Sequence, residues 1–155
     1  MAFVHLHTHS FYSPMWGVPA LEALCQAVKD QGGEFLGLTD INGLYGAIRF
    51  LDVAREHGLK PIIGAELISG PHRAVLLAKH PTGYANLCRI LSARHCDVSF
   101  DCIQTVAQHR TGLVILSDDP VALTVWQTES TEDLYVELTA GPALPDAVAL
   151  SRRLR

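Results

Sequence analysis

The sequence predicts an α/β fold in which strands and helices alternate nearly from end to end. Three observations carry that reading. Short apolar stretches of strand character recur, with helix-spaced apolar stripes between them. Hydrophobic residues make up 48% of the 155 residues, which suits a well-buried core and excludes disorder. Polar residues also collect just past successive strand-like stretches: His7 and His9, then Asp40, Glu66 and Asp118-Asp119. A parallel sheet or barrel has this layout, with its site in the loops after the strand C-termini.

Each element has its own justification. Ala2–His9 reads as the first strand. Pro19 suits a first helical position, and Leu21, Leu24, Cys25 and Val28 follow at i, i+3, i+4 and i+7 until Gly32-Gly33 stops the helix. Phe35–Thr39 is a short apolar strand. A second helix is expected to turn Leu44, Ala47, Ile48 and Leu51 inward and to end at Gly58. Pro61–Ile63 and Ala74–Ala78 are strands. Thr82 is expected to cap a helix with the stripe Tyr84, Leu87, Cys88 and Leu91. Ser99 is expected to cap another, with Phe100, Ile103 and Ala107 inward. Gly112–Leu116 is a buried-type strand, Asp119-Pro120 opens a helix through Trp126, Leu134–Leu138 is the last strand and Pro145–Arg155 the last helix.

Charge and cysteine usage narrow the function. A net charge of −4 offers no general basic footprint for nucleic acid, so any DNA contact is local or supplied by another part of a larger protein. The four cysteines, Cys25, Cys88, Cys96 and Cys102, form no CxxC pair. Three fall on apolar stripes and read as buried thiols in a reducing compartment. No apolar run approaches the roughly 18 residues of a membrane span, and no signal pattern opens the chain. A cytoplasmic protein with no membrane partner is expected.

The run His5-Leu6-His7-Thr8-His9-Ser10 is the strongest pointer to chemistry. On an extended strand its three imidazoles project from one face. Neutral imidazole is the commonest protein metal ligand, and neighbouring imidazoles on one face can grip an ion. A polar arm or tag remnant is the plain alternative, but the interleaved Leu6 and Thr8 and the preceding Ala2-Phe3-Val4 favour metal chemistry. His57, His80, His95 and His109 read as surface or cap histidines.

Taken with Leu38-Thr39-Asp40 and Lys60-Pro61-Ile62-Ile63-Gly64-Ala65-Glu66, this run resembles the PHP (polymerase and histidinol phosphatase) domain. The likeness is greatest to the N-terminal PHP domain of bacterial DNA polymerase III alpha subunits and their error-prone relatives. Phe3 through Ser13 match its opening motif, and Gly58 through Glu66 match its G-[IL]-K-P-I-x-G-x-E pattern. Leu76-Leu77-Ala78-Lys79 with Gly83-Tyr84-Ala85-Asn86-Leu87 match the polymerase branch specifically. Gly46-Ala47-Ile48-Arg49-Phe50, Gly112 through Ser117 and Tyr135 through Leu138 also fit. The resemblance implies a distorted (β/α)7 barrel, incomplete here with about six strands, over one domain of residues 1–155 that continues as a longer polymerase chain. It implies metal ligands at His7, His9 and Glu66, with Asp40 beside them in a supporting role. Asp40 and Glu66 are thereby the candidate catalytic residues. His5 becomes a hydrogen-bonded core histidine.

The pattern also breaks. Ile41 follows Asp40 where the family has a histidine, and Trp16 replaces a carboxylate. Arg73 aligns with a ligand histidine, leaving His72 one residue off and on the opposite face. Asp119 stands where the family has a cysteine ligand; it reads equally as a fourth metal ligand or as a helix N-cap. Glu137 reads as a functional group or a rim charge. The expectation is therefore a degenerate site that holds zinc or manganese partially or not at all. The chain is then a structural module of a DNA-directed DNA polymerase in replication or translesion repair, its partner the rest of that polymerase. The alternative is an active metal-dependent phosphoesterase: a 3′–5′ exonuclease, a pyrophosphatase or a histidinol-phosphatase-like enzyme.

Overall fold

The computed structural model describes residues 3–139 and 144–153. Two compact units divide the chain, Met1–Glu66 and Leu67–Arg155.

In the first unit, α1 (Leu21–Asp30) and α2 (Ala47–Glu56) pack against β1 (Phe35–Leu38) and the leading part of β2 (Lys60–Ser69). α1 buries Leu21, Cys25 and Val28 on one face, as the spacing predicts, though it opens after an extended Ala20 and not at Pro19. Gly32 stops it at φ +72°, and the amides of Gly32 and Gly33 return to the carbonyls of Lys29 and Val28 at 2.9 Å each. In α2 the expected stripe is corrected. The helix begins at Ala47 and turns Phe50, Val53 and Ala54 inward, while Ile48 is 71% exposed. Phe50 sets this face, being wholly buried among Leu21, Cys25, Leu36, Leu38 and Leu59. A fully buried side chain of that size contributes about 1.5–3 kcal/mol.

β1 and β2 run parallel, with Leu36 opposite Pro61 and Leu38 opposite Ile63. The expected first strand is only partly formed among the described residues, and Ala2 lies outside them. His5 makes a single parallel bridge to Leu36, and the amides of Gly37 and Thr39 donate to the carbonyls of His5 and Thr8 at 2.8 and 2.9 Å. Thr8 then turns its amide to the Thr39 hydroxyl and its own hydroxyl to the Gly37 carbonyl. Side-chain hydrogen bonds thus replace part of the ladder.

In the second unit, the end of β2 leads through Gly70-Pro71 into β3 (His72–Ala78). β3 pairs with β4 (Leu113–Ser117), and β4 with β5 (Leu134–Val136). β4 and β5 are parallel, but β3 runs antiparallel to β4, with Val75 opposite Leu116 and Ala78 opposite Leu113. The all-parallel expectation is corrected here. Two residues with Gly70 at φ +57° can reverse the chain, whereas a parallel crossover needs a dozen or more residues.

Helices α3 (Pro81–Cys96), α4 (Cys102–His109), α5 (Pro120–Glu129) and α6 (Leu144–Arg153) complete this unit. Two expected caps shift by two residues. His80 precedes Pro81 at the start of α3, so Thr82 is already helical. Asp101 caps α4 by accepting the Gln104 amide at 2.9 Å, while Ser99 bonds Asp97 instead. Asp119 caps α5 as expected, accepting the amides of Val121 and Ala122. Trp126 is wholly buried, and its Nε1 donates to the Ile103 carbonyl at 2.9 Å.

Five strands and six helices are present among the described residues. All four thiols are free; Cys25 and Cys102 are buried and Cys96 is exposed. No helix among the described residues is long and apolar enough to cross a membrane. α3 lies so close to β4 that a Cβ on Gly83 would sit 1.9 Å from the Gly112 carbonyl oxygen. Gly83→Ala should therefore lower stability by about 1–3 kcal/mol or more in urea unfolding; an unchanged midpoint would contradict that close approach.

Candidate metal centre

The site is built at the end of β1 and on β2. The amide of Glu66 lies 3.3 Å from the Thr39 carbonyl and 3.2 Å from that of Asp40. Its own carbonyl accepts the Asn42 amide at 2.8 Å. These bonds hold β2 beside the loop that follows β1, with Ile41 and Glu66 forming a parallel bridge. Alternation along the N-terminal segment brings His7 and His9 to the same place. Their rings meet edge to face at 5.0 Å between centroids. Glu66 Oε2 lies 2.9 Å from His9 Nε2 and 3.4 Å from His7 Nε2. One ligand atom from each of the three residues falls within 4.8 Å of the others.

Glu66 is only 1% exposed, and its ionisation state matters. Burial is the largest single influence and by itself would raise its pKa. The hydrogen bonds and charges of His7 and His9 together outweigh burial and hold the carboxyl at about 2, below the ordinary 4.5. Glu66 is thus a carboxylate at neutral pH, the form that ligates metal. Two imidazole nitrogens and one carboxylate oxygen are a donor set that zinc accepts with a coordination position left open, and that other first-row divalent ions also accept. The residues fit the metal that the sequence implies.

Asp40 sits beside this group but is used differently. It is 1% exposed, and its oxygens accept the Ser10 amide at 2.8 Å and the Ser10 and Ser13 hydroxyls at 2.8 and 2.6 Å. The Ser13 hydroxyl in turn accepts the Ile41 amide at 3.0 Å. Ser10 follows His9 directly, so Asp40 orients the His9 backbone through its neighbour. The loop is drawn tight enough that a Cβ on Gly17 would sit 1.9 Å from the Ser10 carbonyl oxygen. Ser10 and Ser13 lie in the matched opening motif, but received no role at the site from the sequence alone.

The other sequence candidates make contacts of their own. His5 is half-buried, its ring 4.8 Å from Phe3 and its Nε2 3.5 Å from Gln31 Oε1. Trp16 is 66% exposed. Asp119 is not in the three-residue group. One of its oxygens caps α5 and the other lies 2.6 Å from His72 Nδ1. Arg73 forks onto Asp118 through Nε at 3.2 Å and Nη2 at 2.7 Å.

Two outcomes follow from this geometry. Asp40→Asn puts a donor where serine hydroxyls donate; it should cost about 1–3 kcal/mol in urea unfolding and weaken zinc binding, while wild-type zinc affinity would contradict the clamp. The depressed Glu66 pKa gives stability that is complete above about pH 4.5 and lost as pH falls through about 2. The stability gap between the metal-free chain and Glu66→Gln should accordingly close over that acid range, and a gap that widens there would contradict the assignment.

Comparisons with known proteins agree with this architecture. A family model described as the PHP domain matches residues 5–138. The chain is 46% identical over 96 residues to the error-prone DNA polymerase of Symbiobacterium thermophilum, covering 61% of this chain and 9% of that protein. It is 35% identical over 136 residues to the DNA polymerase III subunit alpha of Treponema pallidum, covering 76% and 12%. This chain therefore spans about a tenth of the length of these relatives. Among solved structures, a Bifidobacterium adolescentis protein assigned as a metal-dependent phosphoesterase aligns with a TM-score of 0.64 at 10% identity, covering 97% of this chain and 83% of that one. An amidohydrolase from Chromobacterium violaceum aligns with a TM-score of 0.62 at 12% identity over the same shares. With an α/β fold that aligns to these structures and a sequence matched from His5 to Leu138, the chain belongs to the PHP domain family.

Proposed function

We propose that this chain is the N-terminal PHP module of a DNA polymerase of the polymerase III alpha type, and that His7, His9 and Glu66 hold one divalent ion in it. Zinc and manganese are the ions that the donor set suits. The module serves the polymerase as a structural platform. DNA contact belongs to the parent protein, since a net charge of −4 gives this chain no basic footprint of its own. The buried free thiols suit a reducing cytoplasm.

One observation carries the reading, the count of donors. Among the described residues a single group could hold a metal, and it has three members. The nearby carboxylate of Asp40 is committed to two serines, and Asp119 to a helix cap and His72. A bound ion supplies Lewis acidity and a water of lowered pKa. The residues supply the rest: two imidazoles fix the position, Glu66 contributes negative charge, and Asp40 holds His9 in place. Three donors that include a single carboxylate suit one ion and weak hydrolysis.

A second reading, an active metal-dependent phosphoesterase, draws support from the same three convergent donors. Metal analysis of the purified chain separates the two. The platform reading expects one zinc per chain. His9→Ala and Glu66→Ala should each weaken binding by about 100-fold or more, beyond the roughly 10–100-fold lost when a group that only supports a ligand is removed. Release of nucleotides from a DNA 3′ end should stay near background with added manganese. Two or three ions per chain, with manganese-dependent hydrolysis lost in both variants, would establish the phosphoesterase and overturn the platform.

A further inference from the structure

An unbroken strand would turn His5, His7 and His9 to one face, yet the structure separates them. His7 and His9 meet Glu66, while His5 turns to Gln31. The backbone pairing shows why. Gly37 donates to the His5 carbonyl at 2.8 Å. In a regular parallel ladder Thr39, two residues on, would then reach His7. It reaches Thr8 instead, at 2.9 Å. Between these two bonds the N-terminal segment carries one residue more than β1 does, a bulge within Leu6-His7. A slip of one residue reverses the face to which side chains point, so His5 falls out of phase with His7 and His9.

Two residues accommodate the extra one. Gly37 leaves room for it: a Cβ there would sit 3.0 Å from the Leu6 carbonyl oxygen and 3.1 Å from the Leu6 Cα, both backbone atoms. Thr39 is wholly buried, and its hydroxyl accepts the Thr8 amide at 2.9 Å while donating to the Thr8 carbonyl at 3.1 Å. A hydroxyl can do both at once, which a ladder carbonyl cannot. The Thr8 hydroxyl ties back to the Gly37 carbonyl, so the residue between the two ligands is held on every side. Given the metal-holding role proposed above, we infer that Gly37 and Thr39 are positioning residues of the metal centre, holding a bulge that brings His7 and His9 to Glu66 and keeps His5 away. The chemical consequence is an open coordination position. A third imidazole beside these donors would complete four ligands, the closed arrangement of a structural zinc. With His5 turned aside, one position is left for water or substrate.

Zinc affinity, together with amide exchange of the metal-free chain, tests this. Thr39→Val keeps the side-chain shape and removes the hydroxyl. It should weaken zinc binding about tenfold or more and speed exchange of the Thr8 amide, and Thr39→Ser should restore both. Gly37→Ala, which crowds Leu6, should weaken zinc in the same direction. A folded Thr39→Val chain that binds zinc as the parent does overturns the inference. His5→Ala covers the case in which Thr39→Val does not fold: it should leave zinc affinity unchanged, and a loss as large as that of His9→Ala overturns the inference as well. Were the parent chain to bind no zinc, the metal reading would fall on its own while Thr8 exchange still decides the bulge. Faster exchange in Thr39→Val than in the parent supports it, and equal exchange overturns it.

Discussion

A buried carboxylate that must remain ionised is the constraint around which the first unit is built. Taking a lone carboxylate out of water costs several kcal/mol. Glu66 is nonetheless 1% exposed and held ionised, because His7 and His9 meet it from one side. Each local feature serves that meeting. The alternation of His7, Thr8 and His9 puts both rings on one face. Parallel pairing of β1 with β2 brings Glu66 level with the loop after β1. The Asp40 clamp on Ser10 and Ser13 fixes the chain just past His9. Both imidazoles lie against the carboxylate, and a divalent ion held by all three residues would supply positive charge at the same place.

In the second unit carboxylates take other partners. Arg73 forks Asp118 through Nε and Nη2, and Nη2 also lies 3.7 Å from Glu137 Oε2. The chemical distinction lies in what each partner can give up. An imidazole can lose its proton and become a ligand, so a carboxylate paired with histidines remains open to metal. A guanidinium does not deprotonate in proteins and has no lone pair to offer, so it cannot itself become a ligand. His72 and Asp119 show a third use, in which one carboxylate serves both a ring nitrogen and a helix cap.

Much of this was legible in the residues, for reasons that can be named. His7 and His9 could be picked out because ligand chemistry restricts residue type and alternation restricts direction; Glu66 stood out as a charged residue past a strand and became a ligand candidate only through the family resemblance. Helix α1 was legible because Gly32-Gly33 and the Leu21–Cys25–Val28 spacing are strong local signals. The inward face of α2 was misread because Ile48 and Phe50 are both apolar, and only packing against Leu21 and Leu36 selects between them. The antiparallel β3 was missed although Gly70-Pro71 is a plain turn signal, because strand–helix alternation elsewhere outweighed it. Ser10 and Ser13 were missed for a more general reason. A serine's importance lies in what it bonds to, and Asp40 is about thirty residues away in the chain.

The account stands on the first coordination shell of one ion. X-ray absorption on the zinc-loaded chain measures it directly. Two imidazole nitrogens at about 2.0–2.1 Å and one carboxylate oxygen at about 2.0–2.2 Å, completed by a light atom from solvent, are predicted. A shell containing sulfur, lacking imidazole scattering, or showing a second metal at short range would contradict it.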